Sequence, residues 1–210
     1  MDFKVKKGEK FLCIGDSITD CGRRDVAAPL GGGYVKVFND LILGAFPERE
    51  IQVINKGISG NTVPDLRMRW EDDMVFHKPD WMSVLIGIND LHRSLGGEEA
   101  FKPEKYAENY RYILKQAKER TGCRMILLEP FYISNDRTEW RGRVLEYLEK
   151  YREIVWQLGD EFKATVVKLH DAFQNNLKYC DADTFCGEPV HPNLAGHTVI
   201  AFHLFKSLLI

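Results

Sequence analysis

The chain has 210 residues, 44% hydrophobic and 29% charged, a size and composition suited to one α/β domain spanning residues 1–210. A formal net charge of −2, with no run of Lys and Arg longer than a pair, gives no electrostatic basis for nucleic acid or an anionic membrane as partner. The charged first ten residues lack the apolar core of a secretory leader, and the odd count of five cysteines fits a reducing cytoplasm better than a disulfide framework.

The first element is the short apolar run Phe11–Gly15, which breaks into Asp16-Ser17-Ile18-Thr19-Asp20. Such a run reads as a buried parallel strand that has just left the sheet, which sets Ser17 at the sheet's carboxyl edge, where open α/β sheets gather their function. Read alone, Asp16 and Ser17 serve equally well as caps of a following helix. Residues 21–33 form a polar Gly- and Pro-containing connection, and 34–46 carry apolar residues at helical spacing until Pro47. Residues 50–55 alternate like a strand and end in Lys56-Gly57-Ile58-Ser59-Gly60-Asn61-Thr62. Pro64 and Asp65 open a helix to about Phe76, and Trp81–Ile88 is the most apolar strand, broken at Asn89-Asp90.

Pro103 starts a long helix that Gly122 closes, and residues 123–128 give a fourth strand followed by a loop over 129–137. A second long helix covers 139–162, and 164–169 is the fifth strand. Asp171 and Gln174 have the spacing of a capping box for a short helix. A polar loop over 179–192 leads into a final helix over 193–209. Strand and helix alternate about five times with no repeat or linker. The expected fold is therefore a three-layer α/β/α sandwich around a flavodoxin-like five-stranded parallel sheet of order 2-1-3-4-5. That order makes the first and third strands neighbours, so Ser17 and Asn89 face one crevice.

Three successive strand ends thus supply Ser17, Gly60-Asn61 and Asn89. Acyl transfer needs a nucleophile, a base, a group that orients the base, and donors aimed at the developing oxyanion. Ser17 can attack. The backbone N–H groups of Ser17 and Gly60 and the Asn89 amide can donate from three directions. Of six histidines, His191 lies in the loop before the last helix, and Glu188, three residues earlier, can fold back to its Nδ1–H. His170 ends the fifth strand, His197 has a core or cap-contacting place on the last helix, and His77 and His203 read as structural or solvated. The acidic, Cys- and His-bearing stretch from Cys180 to His197 contains no zinc-ligand spacing, so no metal is expected. Gly31–Gly33 lack the Gly-Lys-Ser/Thr of a phosphate loop, and no cofactor is expected.

Gly15-Asp16-Ser17-Ile18, Gly60 in Ile-Ser-Gly-Asn-Thr, Gly87-Ile-Asn89-Asp90 and Glu188-Pro-Val-His191-Pro resemble the four blocks of the SGNH (GDSL) hydrolase superfamily, in the family's order. The resemblance implies Ser17 as nucleophile, His191 as base, and an oxyanion hole of Ser17 N–H, Gly60 N–H and Asn89. One departure is Glu188, where the family usually has Asp; if it points elsewhere, a Ser-His dyad remains, with Asp171 and Asp183 as weaker substitutes. The longer strings Gly-Asp-Ser-Ile-Thr-Asp-Cys-Gly, Asn-Lys-Gly-Ile-Ser-Gly-Asn-Thr and Pro-Phe-Tyr-Ile look like the intracellular acetylxylan esterase branch. That likeness implies an acetylated oligosaccharide as substrate and a homo-oligomer. Asp16, Tyr34, His92 and Tyr132 are expected on the substrate side. The competing readings are a lysophospholipase or thioesterase with a longer acyl pocket, and a carbohydrate-binding module on the same fold that has lost turnover.

Overall fold

In the computed structural model, which describes residues 2–210, β1 (Lys10–Gly15) lies next to the edge of a five-stranded sheet. It pairs in parallel with β2 (Gln52–Gly57) on one side and β3 (Trp81–Leu85) on the other. Strand β4 (Arg124–Leu128) follows β3, and β5 (Thr165–Val167) closes the order 2-1-3-4-5, all parallel. The central strands β1 and β3 are buried on both faces, which is why they read as unbroken apolar runs. Helices α2 (Tyr34–Ala45) and α8 (Leu194–Ser207) pack on each other, while α3 (Val63–Met68), α5 (Pro103–Thr121) and α6 (Glu139–Phe162) pack in succession as a second layer. The expected sandwich and strand order hold.

Local boundaries differ in instructive ways. Strand β2 starts two residues late because Glu50 adopts a left-handed turn conformation, φ 50°. The helix expected from Pro64 to Phe76 is α3, opened by Thr62 donating to the Asp65 carboxylate, followed by a separate π-helical turn over Glu71–Val75. The third strand, expected to run to Ile88, ends at Leu85, and the chain from Ile88 folds into an unforeseen helix, α4 (Ile88–Leu95), which buries Ile88, Leu91 and Ser94. Helix α7 (Leu169–Asn176) begins before Asp171, with Lys168 as its cap residue, so Asp171 is no capping-box start. Its carboxylate instead pairs with Arg152 on α6.

A short helix, α1 (Ser17–Asp20), sits directly over the ends of β1 and β2. This close seating requires glycine at 57, where a Cβ would overlap the backbone of Thr19 and Asp20. Among the described residues no helix is long and apolar enough to cross a membrane. All five cysteines are free thiols.

Candidate active site

Ser17 is the first residue of α1 and is half-buried, with its Oγ 2.9 Å from His191 Nε2 across 174 residues of sequence. Asp16, just before it, is buried and accepts the Ile18 N–H at 3.0 Å, which fixes the turn that presents Ser17. Burial pushes the Asp16 carboxyl up to about 7, against the pull of the Ile18 N–H and nearby His191. Asp16 therefore acts as the cap of α1 and offers no exposed surface to a ligand.

His191 is delivered by the loop before α8. That loop is pinned by the Cys186–Pro192 bridge, by Ile133 N–H donating to the Pro189 carbonyl at 2.8 Å, and by Asn193, whose Oδ1 caps α8 through the Gly196 N–H. Glu188 folds back within it. Its Oε1 accepts the His191 N–H at 2.7 Å and meets His191 Nδ1, while Oε2 accepts the Val190 N–H at 3.0 Å. The extra methylene of Glu over Asp is taken up by this turn. Burial pushes the Glu188 carboxyl up, and the donors of Val190 and His191 outweigh it, holding the group below its ordinary range. A proton on Nδ1 facing that carboxylate leaves Nε2 as acceptor for the Ser17 hydroxyl. Asp171, tied to Arg152, is no substitute for Glu188.

Replacing Glu188 with Gln is expected to lower kcat by about tenfold. It exchanges a charge-assisted bond for a neutral one, a difference of about 1.4 kcal/mol. The side chain is half exposed, so water softens the loss. Steady-state hydrolysis of p-nitrophenyl acetate checks it.

The loop from β2 to α3 carries Gly60 at φ 79°, a conformation that favours glycine. Among the described residues the Gly60 N–H has no protein acceptor. The loop is held by Asp20, whose Oδ2 accepts the Ser59 N–H at 3.0 Å and the Ser59 hydroxyl at 3.1 Å. Burial raises the Asp20 carboxyl, but those Ser59 bonds and the charges of Arg24 and Arg23 prevail and lower it. Arg69 completes the brace by donating to Asn61 Oδ1 at 2.7 Å, to the Lys56 carbonyl at 2.8 Å and to the Gly15 carbonyl at 3.1 Å. Asn89, in the first turn of α4, donates one amide hydrogen to the Asn61 carbonyl at 2.9 Å, which leaves its second amide hydrogen for a ligand. Beside it the fully buried Asp90 accepts the Val63 N–H at 3.0 Å, and burial pushes its carboxyl up to about 7. Sequence reasoning did not single out Asp20, Asp90 or Arg69. Asp20 and Asp90 lie inside the same motif strings as Ser17 and Asn89, whereas nothing in the sequence marks Arg69.

The four residues expected on the substrate side separate. Tyr34 is fully buried, its hydroxyl 3.1 Å from Thr19 Oγ1, and does not reach the crevice, because the apolar face of α2 turns it into the core. Asp16 is buried as described. His92 and Tyr132 come together edge to face, ring centroids 6.4 Å apart, near Glu188 and His191. His170 faces inward, its Nδ1 accepting the Tyr132 N–H at 3.4 Å, and burial lowers it to about 4. His197 is a core residue that accepts the Tyr34 N–H at 3.1 Å. No group of three or more His, Cys, Asp or Glu among the described residues is arranged to hold a metal.

A hydroxyl, an imidazole and a carboxylate joined in sequence by hydrogen bonds can perform nucleophilic acyl transfer when donors for the oxyanion are at hand. The family model of GDSL-like lipases and acylhydrolases matches residues 13–199. The acetylxylan esterase of Geobacillus stearothermophilus is 39% identical over 94% of this chain and 93% of its own. Its crystal structure superposes with a TM-score of 0.88 at 36% identity, covering 98% of this chain and 96% of that one. That esterase has also been solved as catalytic mutants in which a serine, an aspartate or a histidine becomes alanine. A second solved relative, an α/β hydrolase from the metagenome of Lake Arreo, gives a TM-score of 0.89 at 30% identity, covering 99% and 98% of the two chains.

Proposed function

The chain belongs to the GDSL-like lipase/acylhydrolase family, and from that premise we propose that Ser17, His191 and Glu188 carry out ester hydrolysis with Ser17 N–H, Gly60 N–H and Asn89 as the oxyanion hole. The enzyme is a carboxylic ester hydrolase acting on acetylated xylo-oligosaccharides, in keeping with its acetylxylan esterase relative. The observation that carries the residue assignment is the unbroken hydrogen-bond sequence from Ser17 through His191 to Glu188.

In this mechanism Ser17 Oγ attacks the acetyl carbonyl carbon as its proton passes to His191 Nε2. The negative oxygen of the tetrahedral intermediate is met by the three donors. Collapse breaks the bond to the sugar oxygen, which takes the proton back from His191. Water then enters, gives a proton to the same nitrogen and attacks the acetyl-enzyme, releasing acetate and restoring Ser17. Glu188 keeps the imidazole in the productive tautomer and stabilises the imidazolium in both halves.

Next to Asp16, the space bounded by Ile18, Leu85, Ile88 and Phe131 is too tight to admit a water molecule. An acyl-length series tests the substrate reading. Acetate esters are expected to turn over faster than butyrate and longer esters, with acetate released from acetylated xylo-oligosaccharides. A preference for long chains replaces this reading with the lysophospholipase one, for which the Escherichia coli thioesterase 1/lysophospholipase L1, 24% identical over 99% of this chain, is the relative to compare.

The five free thiols support a reducing, cytoplasmic setting. Leu43 and Phe202, half-exposed on α2 and α8, give apolar surface for a homo-oligomer, which light scattering decides.

A further inference from the structure

Beside the catalytic loop lies a cavity of about 350 Å³ lined by Tyr132, Asp136, Trp140, Arg141 and Pro189. It is at the small end of the range for small-molecule sites. Pro189 is the residue after Glu188, so this cavity shares a wall with the triad. We propose that it is a sugar-binding subsite, in which the Trp140 ring and the polar groups of Tyr132, Asp136 and Arg141 hold a pyranose unit of the acetylated oligosaccharide next to the reacting ester. The proposal rests on the carbohydrate reading above and names the residues that would make the enzyme prefer an oligosaccharide ester over a simple one.

Trp140 is the most exposed of the four tryptophans at 45%, whereas Trp70 and Trp81 are buried. A large ring left open in the wall of a cavity is an unused apolar platform. His92 packs against it at a ring separation of 6.2 Å and against Tyr132 on its other side, so one aromatic surface runs from the cavity toward Glu188 and His191. Tyr132 is only 4% exposed, yet among the described residues its hydroxyl has no protein partner. That hydroxyl lies close enough to Arg141, Glu188 and Asp136 to feel their charges, which places it toward the polar rim. The hydroxyl is not sealed from solvent, so it is free to bond a ligand in the cavity.

The rim decides the ligand class. Asp136 is already oriented, its Oδ1 accepting the Thr138 N–H at 2.9 Å and the Thr138 hydroxyl at 2.6 Å, with Arg141 Nη1 3.4 Å from Oδ2. Two carboxylates (Asp136 and Glu139), a guanidinium and a phenol around an aromatic plane suit a ring with apolar C–H faces and a hydroxyl edge. They suit a hydrocarbon chain poorly, since burying such a chain there would strip water from these charges. The wall is also close-built, because a Cβ at Gly142 would overlap the Arg137 carbonyl of the loop above it.

The test separates this subsite from the reaction. Unacetylated xylotriose, which the enzyme cannot turn over, is titrated into the intact protein while tryptophan emission is read. A saturable change is expected, with Tyr132→Phe and Arg141→Ala each raising Kd by about tenfold. In kinetics, Trp140→Ala is expected to lower the ratio of kcat/KM on acetylated xylo-oligosaccharide to kcat/KM on p-nitrophenyl acetate by about tenfold or more. No emission change at millimolar xylotriose, or a ratio unmoved by Trp140→Ala in an enzyme that does deacetylate oligosaccharides, overturns the subsite alone. A wild-type enzyme that hydrolyses p-nitrophenyl acetate and leaves acetylated oligosaccharides untouched overturns the carbohydrate reading instead.

Discussion

Ser17→Ala and His191→Ala are each expected to reduce kcat on p-nitrophenyl acetate by at least about 10⁴-fold, and the double variant is expected to be no worse than either single one. The two side chains, 2.9 Å apart, act as one device. Without the hydroxyl there is no nucleophile, and without the imidazole the hydroxyl keeps its proton at neutral pH. Removing the second partner then removes nothing further. The residual rate comes from the oxyanion donors and binding alone. Neither change should affect folding, since Ser17 is half-buried and His191 is exposed on its loop. Urea midpoints equal to wild type would show that the loss is chemical. Independent, multiplying losses would mean that the two residues do not act together.

Asn89→Ala is expected to lower kcat by about 10²–10³-fold, the usual effect of deleting one oxyanion donor. KM should change little, because the donor matters most when the carbonyl oxygen becomes negative. Asn89 has a second bond, to the Asn61 carbonyl, which ties the β2–α3 loop to α4. The alanine variant therefore also loosens the strand-end loop that carries Gly60. Asn89→Asp loses the same two donors. It preserves size but replaces an amide donor by an acceptor carrying negative charge, so it should be at least as damaging as alanine. Either variant retaining wild-type kcat would remove Asn89 from the oxyanion hole.

Much of this arrangement was legible in the sequence because parallel α/β sheets separate their signals well. Buried strands such as Phe11–Gly15 and Trp81–Leu85 are continuous apolar runs, and each ends abruptly where polar residues take over. The expected placing of Ser17, Gly60 and Asn89 follows from strand order and strand ends; in the structure Ser17 meets His191 and through it Glu188, while Asn89 is tied to the Gly60 loop through the Asn61 carbonyl. Helix α4 escaped notice because its apolar positions continue directly from β3, so strand and helix form one hydrophobic stretch with only Ile86 and Gly87 between them. Asp171 had capping-box spacing, yet the helix starts earlier and Arg152 claims the carboxylate. Tyr34 shows the same limit, since an aromatic residue on an amphipathic helix reads as contact surface or as core until the packing is known.

The bracing residues were the least visible. Asp20, Arg69 and Asp90 touch no predicted reacting atom, and they act by holding backbone groups of other segments. Periodicity cannot reveal a carboxylate whose partner lies 39 residues away, as Ser59 does from Asp20.

The most direct test of the Ser17–His191 assignment is covalent trapping. Treated with a p-nitrophenyl phosphonate ester, the protein should gain one phosphonyl group per chain by intact mass, release one equivalent of p-nitrophenol and lose activity in step. Peptide mapping should place the adduct on Ser17, and Ser17→Ala should remain unlabelled. A protein that still hydrolyses esters while carrying no adduct, or that carries it on another residue, would contradict the account.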